Sequence, residues 1–75
     1  MAREPMELKI KYTRHALERM RERGITGRDV REAIAKGTKV REARGLNCVY
    51  RHICAACIKL KDAWIVKTVY WVWED

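Results

Sequence analysis

The sequence predicts an α+β domain in which two N-terminal helices pack on one face of a three- to four-stranded antiparallel sheet. Three observations predict it. Two segments of helical period lie between Thr13 and Gly37, each opened by a threonine and closed by a glycine. After Thr38 the composition turns to Val, Ile, Cys, Tyr and Trp with a shorter period, and that second half is punctuated by turn residues. The 75 residues make one small domain, 1–75: a polar lead-in over 1–7, a helical hairpin over 12–37 and the sheet over 38–73. A chain this short buries only about 60% of the surface its unfolded form exposes, so its core is thin. Scaffolds of this size commonly rely on a disulfide, a metal or a second subunit.

The elements follow in order. Pro5 argues against a helix at the start, and "MELKIKY" alternates apolar and charged residues as a short edge strand does. Thr13 is placed to cap a first helix that runs to Arg23 and stops at Gly24. At about 100° per residue, Ala16, Leu17 and Met20 share the arc that a core would take, while His15, Arg19 and Glu22 form another stripe, with Arg23 between the two. "ITGRDVREAIAKG" repeats the pattern, with Thr26 as N-cap, Asp29 as its capping-box partner and Gly37 past the end. Val30, Ala33 and Ile34 make the apolar stripe of this second helix, and Arg28, Arg31, Glu32 and Lys36 face water.

Residues 38–42 read as a strand, "ARGLN" as a turn and 47–53 as a second strand, followed by "ICAACIKL", the turn "KDA" and a last strand "WIVKTVYWVW". Periodicity leaves open whether "VYRH" and "ICAAC" form a hairpin or one bent strand. Strict alternation in the last strand puts Val66, Thr68, Tyr70 and Val72 on one face and Ile65, Val69, Trp71 and Trp73 on the other, broken by Lys67. Two short helices cover only one face of such a sheet. The other is expected to meet a second copy or another protein through this last strand.

Seventeen Lys and Arg against ten Asp and Glu give a net charge of +7 and a pI near 9.7. A surplus of this size attracts polyanions, nucleic acids above all. It also suits helices that simply present solvated, mixed-charge faces, as in a heat-stable protein. No secretory leader and no run approaching about 18 apolar residues is present, which predicts a cytoplasmic protein without a membrane span. The chain has no Gly-rich phosphate loop, Walker motif, HExxH or nucleophile elbow, so most enzyme classes find no support.

Two constellations remain. His15 falls in the first turn of a helix, where unpaired N–H groups and the positive end of the dipole disfavour an imidazolium. A neutral histidine beside Arg19 and Arg23 has the parts of a metal-independent ribonuclease: a proton carrier and two guanidinium groups for phosphate. Thr68 or Tyr70 would assist if the helices covered their face of the sheet. The competing reading is local packing for His15 and helix ion pairs for the arginines with Glu18 and Glu22. Arg14, Arg19, Arg23, Arg28 and Arg31 are the candidate nucleic-acid contacts. The second constellation is "CVYRHICAAC", where Cys48, His52, Cys54 and Cys57 equal a zinc site in number. In an extended strand residues three apart point to opposite faces, so buried reduced thiols are expected, with zinc or a disulfide as alternatives and no cofactor.

The order of these parts resembles the small bacterial and archaeal family numbered 4258 among domains of unknown function. The matching positions are Tyr12, Thr13, His15, Ala16, Arg19, Met20, Arg23, Gly24, Ile25, Val30, Ile34, Gly37 and Thr68 to Tyr70, in a span of residues 8 to 72. The resemblance implies His15, Arg19 and Thr68 as the polar positions of interest. Its helix-then-sheet layout is similar to that of RelE-like and barnase-like toxin nucleases, an analogy at the level of fold. From residues and resemblance together, the leading expectation is a toxin-like RNA-binding protein or endoribonuclease. The others are a non-catalytic module for nucleic acid or a protein partner, such as an acidic antitoxin-like protein, and a zinc-stapled structural domain.

Overall fold

Both helices are held at their ends by the residues that announce them. The structure, a computed structural model, describes residues 9–73. The lead-in over 1–7 and the first part of the expected edge strand lie outside the described residues. Strand β1 (Ile10–Tyr12) runs directly into helix α1 (Arg14–Arg23), whose N-cap Thr13 accepts a hydrogen bond from the Ala16 N–H at 3.0 Å. Gly24 closes α1 in the left-handed conformation, with φ 69°. Helix α2 (Gly27–Lys36) opens on a reciprocal capping box: Thr26 Oγ1 accepts from the Asp29 N–H at 3.1 Å, and Asp29 Oδ2 accepts from the Thr26 N–H at 3.0 Å. At its other end the Lys39 ammonium donates to the carbonyl oxygens of Ile34 and Gly37, placing a cation on the negative pole of the helix.

The remaining strands are β2 (Thr38–Glu42), β3 (Gly45–Tyr50), β4 (Ile53–Lys59) and β5 (Trp64–Trp71), and the sheet order is β1-β5-β4-β3-β2. Strands β2 to β5 form the expected antiparallel meander. The sheet is nevertheless five-stranded and mixed, because β1 pairs in parallel with β5, Tyr12 opposite Val66. Three successive hairpins leave one edge of β5 open, and β1 fills it in the direction that delivers the chain into α1. The stretch 50–53 is a hairpin rather than a bent strand: Arg51 and His52 form its turn, with Arg51 at φ 60°.

The helices cover one face of the sheet, and Ala16, Ile25, Val30, Ala33 and Ile34 meet Cys48, Ile53, Ala55, Cys57, Val66 and Val69 there in one buried cluster. Two expectations about faces are corrected. In β5 the pairing passes from Ala56 opposite Thr68 to Cys57 opposite Val66, so Lys67 has no partner across the ladder. This bulge reverses the alternation. Val66, Val69 and Trp71 lie towards the helices, and Ile65, Thr68 and Tyr70 lie away from them. In α1, Leu17 is 52% exposed, and the inward face is centred on Ala16 and Met20 instead. Arg19 and Arg23 border that face half-buried.

Gly37 joins α2 to β2 in extended backbone, and the reason for a glycine is space: a Cβ would sit 2.4 Å from the Ala33 carbonyl oxygen and 2.5 Å from that of Val49. Gly37→Ala is expected to lower stability by about 2 kcal/mol in denaturant melts, because neither backbone can retreat. Gly24→Ala meets open space and carries only the backbone strain of positive φ, about 1 kcal/mol.

Candidate nucleic-acid interface

The site expected from sequence centres on α1, whose position is fixed by Thr13. Its N–H donates to the Val66 carbonyl oxygen at 3.1 Å and its hydroxyl donates to the Lys67 carbonyl oxygen at 3.1 Å, so the helix starts against the bulge of β5. His15 lies in the first turn, exposed. Arg19 pairs with Glu22, and the Arg23 guanidinium lies 4.0 Å from the same carboxylate. The pairing with Glu22 matches the ordinary ion-pair reading of these arginines.

Thr68 and Tyr70 do not join them. The helices cover the face of Val66 and Val69, and the two residues stand on the other face, with the sheet between them and His15. Strict alternation would have given Thr68 and Val66 one face; the Lys67 bulge separates them. Tyr70 has a different partner. Its hydroxyl donates to the Cys54 thiol opposite it in β4, and this bond, with partial burial, pushes the Tyr70 phenol up to about 12. Burial and the neighbouring charges raise the Cys54 thiol despite that bond.

The zinc alternative is also separated by strand geometry. Cys48 and Cys57 point into the core on β3 and β4, Cys54 points away on the other face, and His52 sits exposed in the turn. Among the described residues no group of three or more potential ligands converges, and the three cysteines are free, buried thiols. The Cys57 thiol donates to the Ala55 carbonyl oxygen at 3.5 Å. Its interaction with the neighbouring Cys48, together with burial, drives Cys57 strongly upward and draws Cys48 down to about 7. Tyr12 is likewise raised by burial, against the opposing pull of Arg31.

What α1 and α2 present to solvent is basic. Arg14 and Arg21 flank the exposed Leu17 and Glu18 in a shallow groove of about 320 Å³, and Arg28 and Arg31 are exposed on α2. Of the five expected contacts, Arg14, Arg28 and Arg31 are therefore presented outward and Arg19 and Arg23 are drawn inward. Arg21 is the contact that periodicity missed: placing Leu17 in the core turned the helix away from the Arg14 to Arg21 ridge. All but one of the 17 basic residues, but only six of the ten acidic ones, fall within the described residues. No helix among them is long and apolar enough to cross a membrane.

The family model described as "Domain of unknown function (DUF4258)" matches residues 12–71, from the aromatic residue before the first cap to the end of β5. No curated protein and no solved structure matches the chain.

Two outcomes follow from the thiols and the phenol. Cys48 is drawn down to about 7, but all three thiols are out of contact with solvent, so in folded protein near neutral pH a thiol reagent such as Ellman's is expected to find no rapidly reacting cysteine and to find all three after denaturation. Tyr70 favours its neutral form more strongly folded than unfolded, where the phenol titrates near 10. Its contribution to stability is therefore full below about pH 10 and lost as the pH rises towards 12. Tyr70→Phe should flatten this alkaline fall in a pH series of denaturant melts.

Proposed function

The chain belongs to the family described as Domain of unknown function (DUF4258), and within that family we propose that it is a toxin-like RNA-binding domain whose helical layer grips the phosphate backbone. One observation carries this reading: Arg14, Arg21, Arg28 and Arg31 project outward from a helical layer whose other arginines are turned inward. Arg14 and Arg21 stand two turns apart, about 10 Å along the axis, on either side of an open groove. Exposed guanidinium groups are effective phosphate ligands because each offers a planar fork of donors and stays charged. RNA is favoured over DNA by the toxin-like layout alone, an analogy at the level of fold.

The catalytic form of the reading assigns proton transfer to His15 and phosphate stabilisation to Arg19. These two share a ridge of α1, but Thr68 and Tyr70 stand beyond the sheet and Glu22 competes for Arg19. Binding without cleavage is thus the better-supported form.

The test is fluorescence anisotropy with a labelled RNA across a salt series, together with prolonged incubation of RNA with and without EDTA. Affinity is expected to fall steeply with salt, and the Arg14→Ala, Arg21→Ala double variant should lower the logarithmic slope by about 1.5 as two phosphate contacts are lost. RNA should stay intact. Chelator-resistant cleavage that disappears in His15→Ala would replace this reading with the nuclease, and affinity indifferent to salt would remove both.

A further inference from the structure

At the end of the sheet where α1 finishes, the chain builds an aromatic cluster that the basic surface leaves unused. The Trp71 indole N–H donates to the Arg23 carbonyl oxygen at 3.0 Å, which fixes the ring against the last turn of α1. The ring of Trp73 lies on that of Trp71, with centroids 5.0 Å apart and planes within 6°. His52, from the turn between β3 and β4, sets its ring 4.7 Å from Trp73 at 48°. The Val72 N–H donates to the His52 carbonyl oxygen at 2.7 Å and ties the two segments together. Arg51, beside His52, holds its guanidinium 5.2 Å from the Tyr50 ring.

Folding accounts for Trp71, which packs against the core cluster. It does not account for Trp73, which is 62% exposed and next to the exposed Val72. A tryptophan held on two sides yet open to water has already lost its rotamer freedom, so little ordering remains to be done when a planar ligand arrives. The surroundings select the ligand. The turn offers Arg51 and His52, and the one carboxylate of the adjoining helix turn, Glu22, is engaged by Arg19. Glu74 and Asp75 follow in sequence outside the described residues. An aromatic face beside a turn that carries Arg51, on a chain of +7, matches an anionic polymer that carries planar rings.

We infer that Trp73, stacked on Trp71 and edged by His52 of the turn that also carries Arg51, is a stacking platform for the unpaired bases of a single-stranded nucleic acid. The inference rests on the RNA-binding reading and adds the strand state of the ligand. Bases of a duplex have their faces occupied by their neighbours, and only unpaired ones can lie on an indole. The helical arginines hold the backbone, and Trp73 distinguishes single strands from duplexes.

The test compares the full chain with its Trp73→Ala and Trp73→Phe variants for binding to an unstructured 12-nucleotide RNA and to a 12-base-pair RNA duplex at one salt concentration. Trp73→Ala is expected to weaken single-strand binding about tenfold, leave duplex binding within twofold, and recover most of the loss in Trp73→Phe. Because Trp73 lies past the last strand, the melting temperature of each variant should stay near that of the parent. Equal loss for both RNAs, or no loss for either, would overturn the platform while the phosphate-gripping reading stood. Absence of binding to either RNA by the parent protein would overturn both and leave the cluster as a surface for a protein partner.

Discussion

Thr13 is the residue on which the arrangement turns. It ends the pairing of β1 through its backbone, caps α1 through its hydroxyl oxygen, and donates that hydroxyl's proton to the carbonyl of Lys67. Three elements are thereby fixed at one point, and that point is the bulge of β5. Once Lys67 is displaced from the ladder, Val66 and Val69 both reach the layer under α1, which two residues three apart in a regular strand could not do. The same displacement sends Thr68 and Tyr70 to the far face. A thin core thus gains two fully buried valines, and the candidate catalytic group is divided by the sheet.

The consequence for charge follows from the size of the core. Only Ala16 on α1 is fully buried, with Met20 partly buried against the core and Arg19 and Arg23 half-buried at its border. Their heads lie by Glu22 at the border of the layer, and the outward arc is left to Arg14, Arg21 and the exposed Leu17. The arginines therefore divide between the border of the layer and its outer surface. The cysteines divide likewise: Cys48 and Cys57 fill space beneath the helices, while Cys54 is covered on the open face, where Tyr70 bonds to it. No intercalated ion or bridge is required to explain why all three are buried.

Much of the helical half was legible in the sequence because its signals are local. Thr26 and Asp29, or Arg23 followed by Gly24, specify a helix end within a few residues of chain. The bulge at Lys67 was not legible, since it exists only relative to the partners that β4 supplies. The parallel strand β1 was legible as a strand but not as parallel: it has three residues, and its partner lies 54 positions away. The turn at Arg51 and His52 gave no glycine or asparagine signal, because Arg51 itself takes the positive φ. Leu17 misled because it shares an arc with Ala16 and Met20, of which this thin core takes up only those two. Of the candidate site, His15 and the outward arginines were readable as a basic helix. The Trp71, Trp73 and His52 cluster was not, because it joins two segments that only the fold brings together.

The central claim is that RNA lies across the outer surface of the helices and reaches the tryptophan end of the sheet. The most direct measurement is a map of backbone amide chemical-shift changes when an unstructured RNA is titrated into the labelled protein. The account requires the largest changes around Arg14, Arg21, Arg28 and Arg31, continuing to the indole N–H of Trp73. Changes confined to the opposite face, around Val49, Ile58, Ile65 and Thr68, would contradict it.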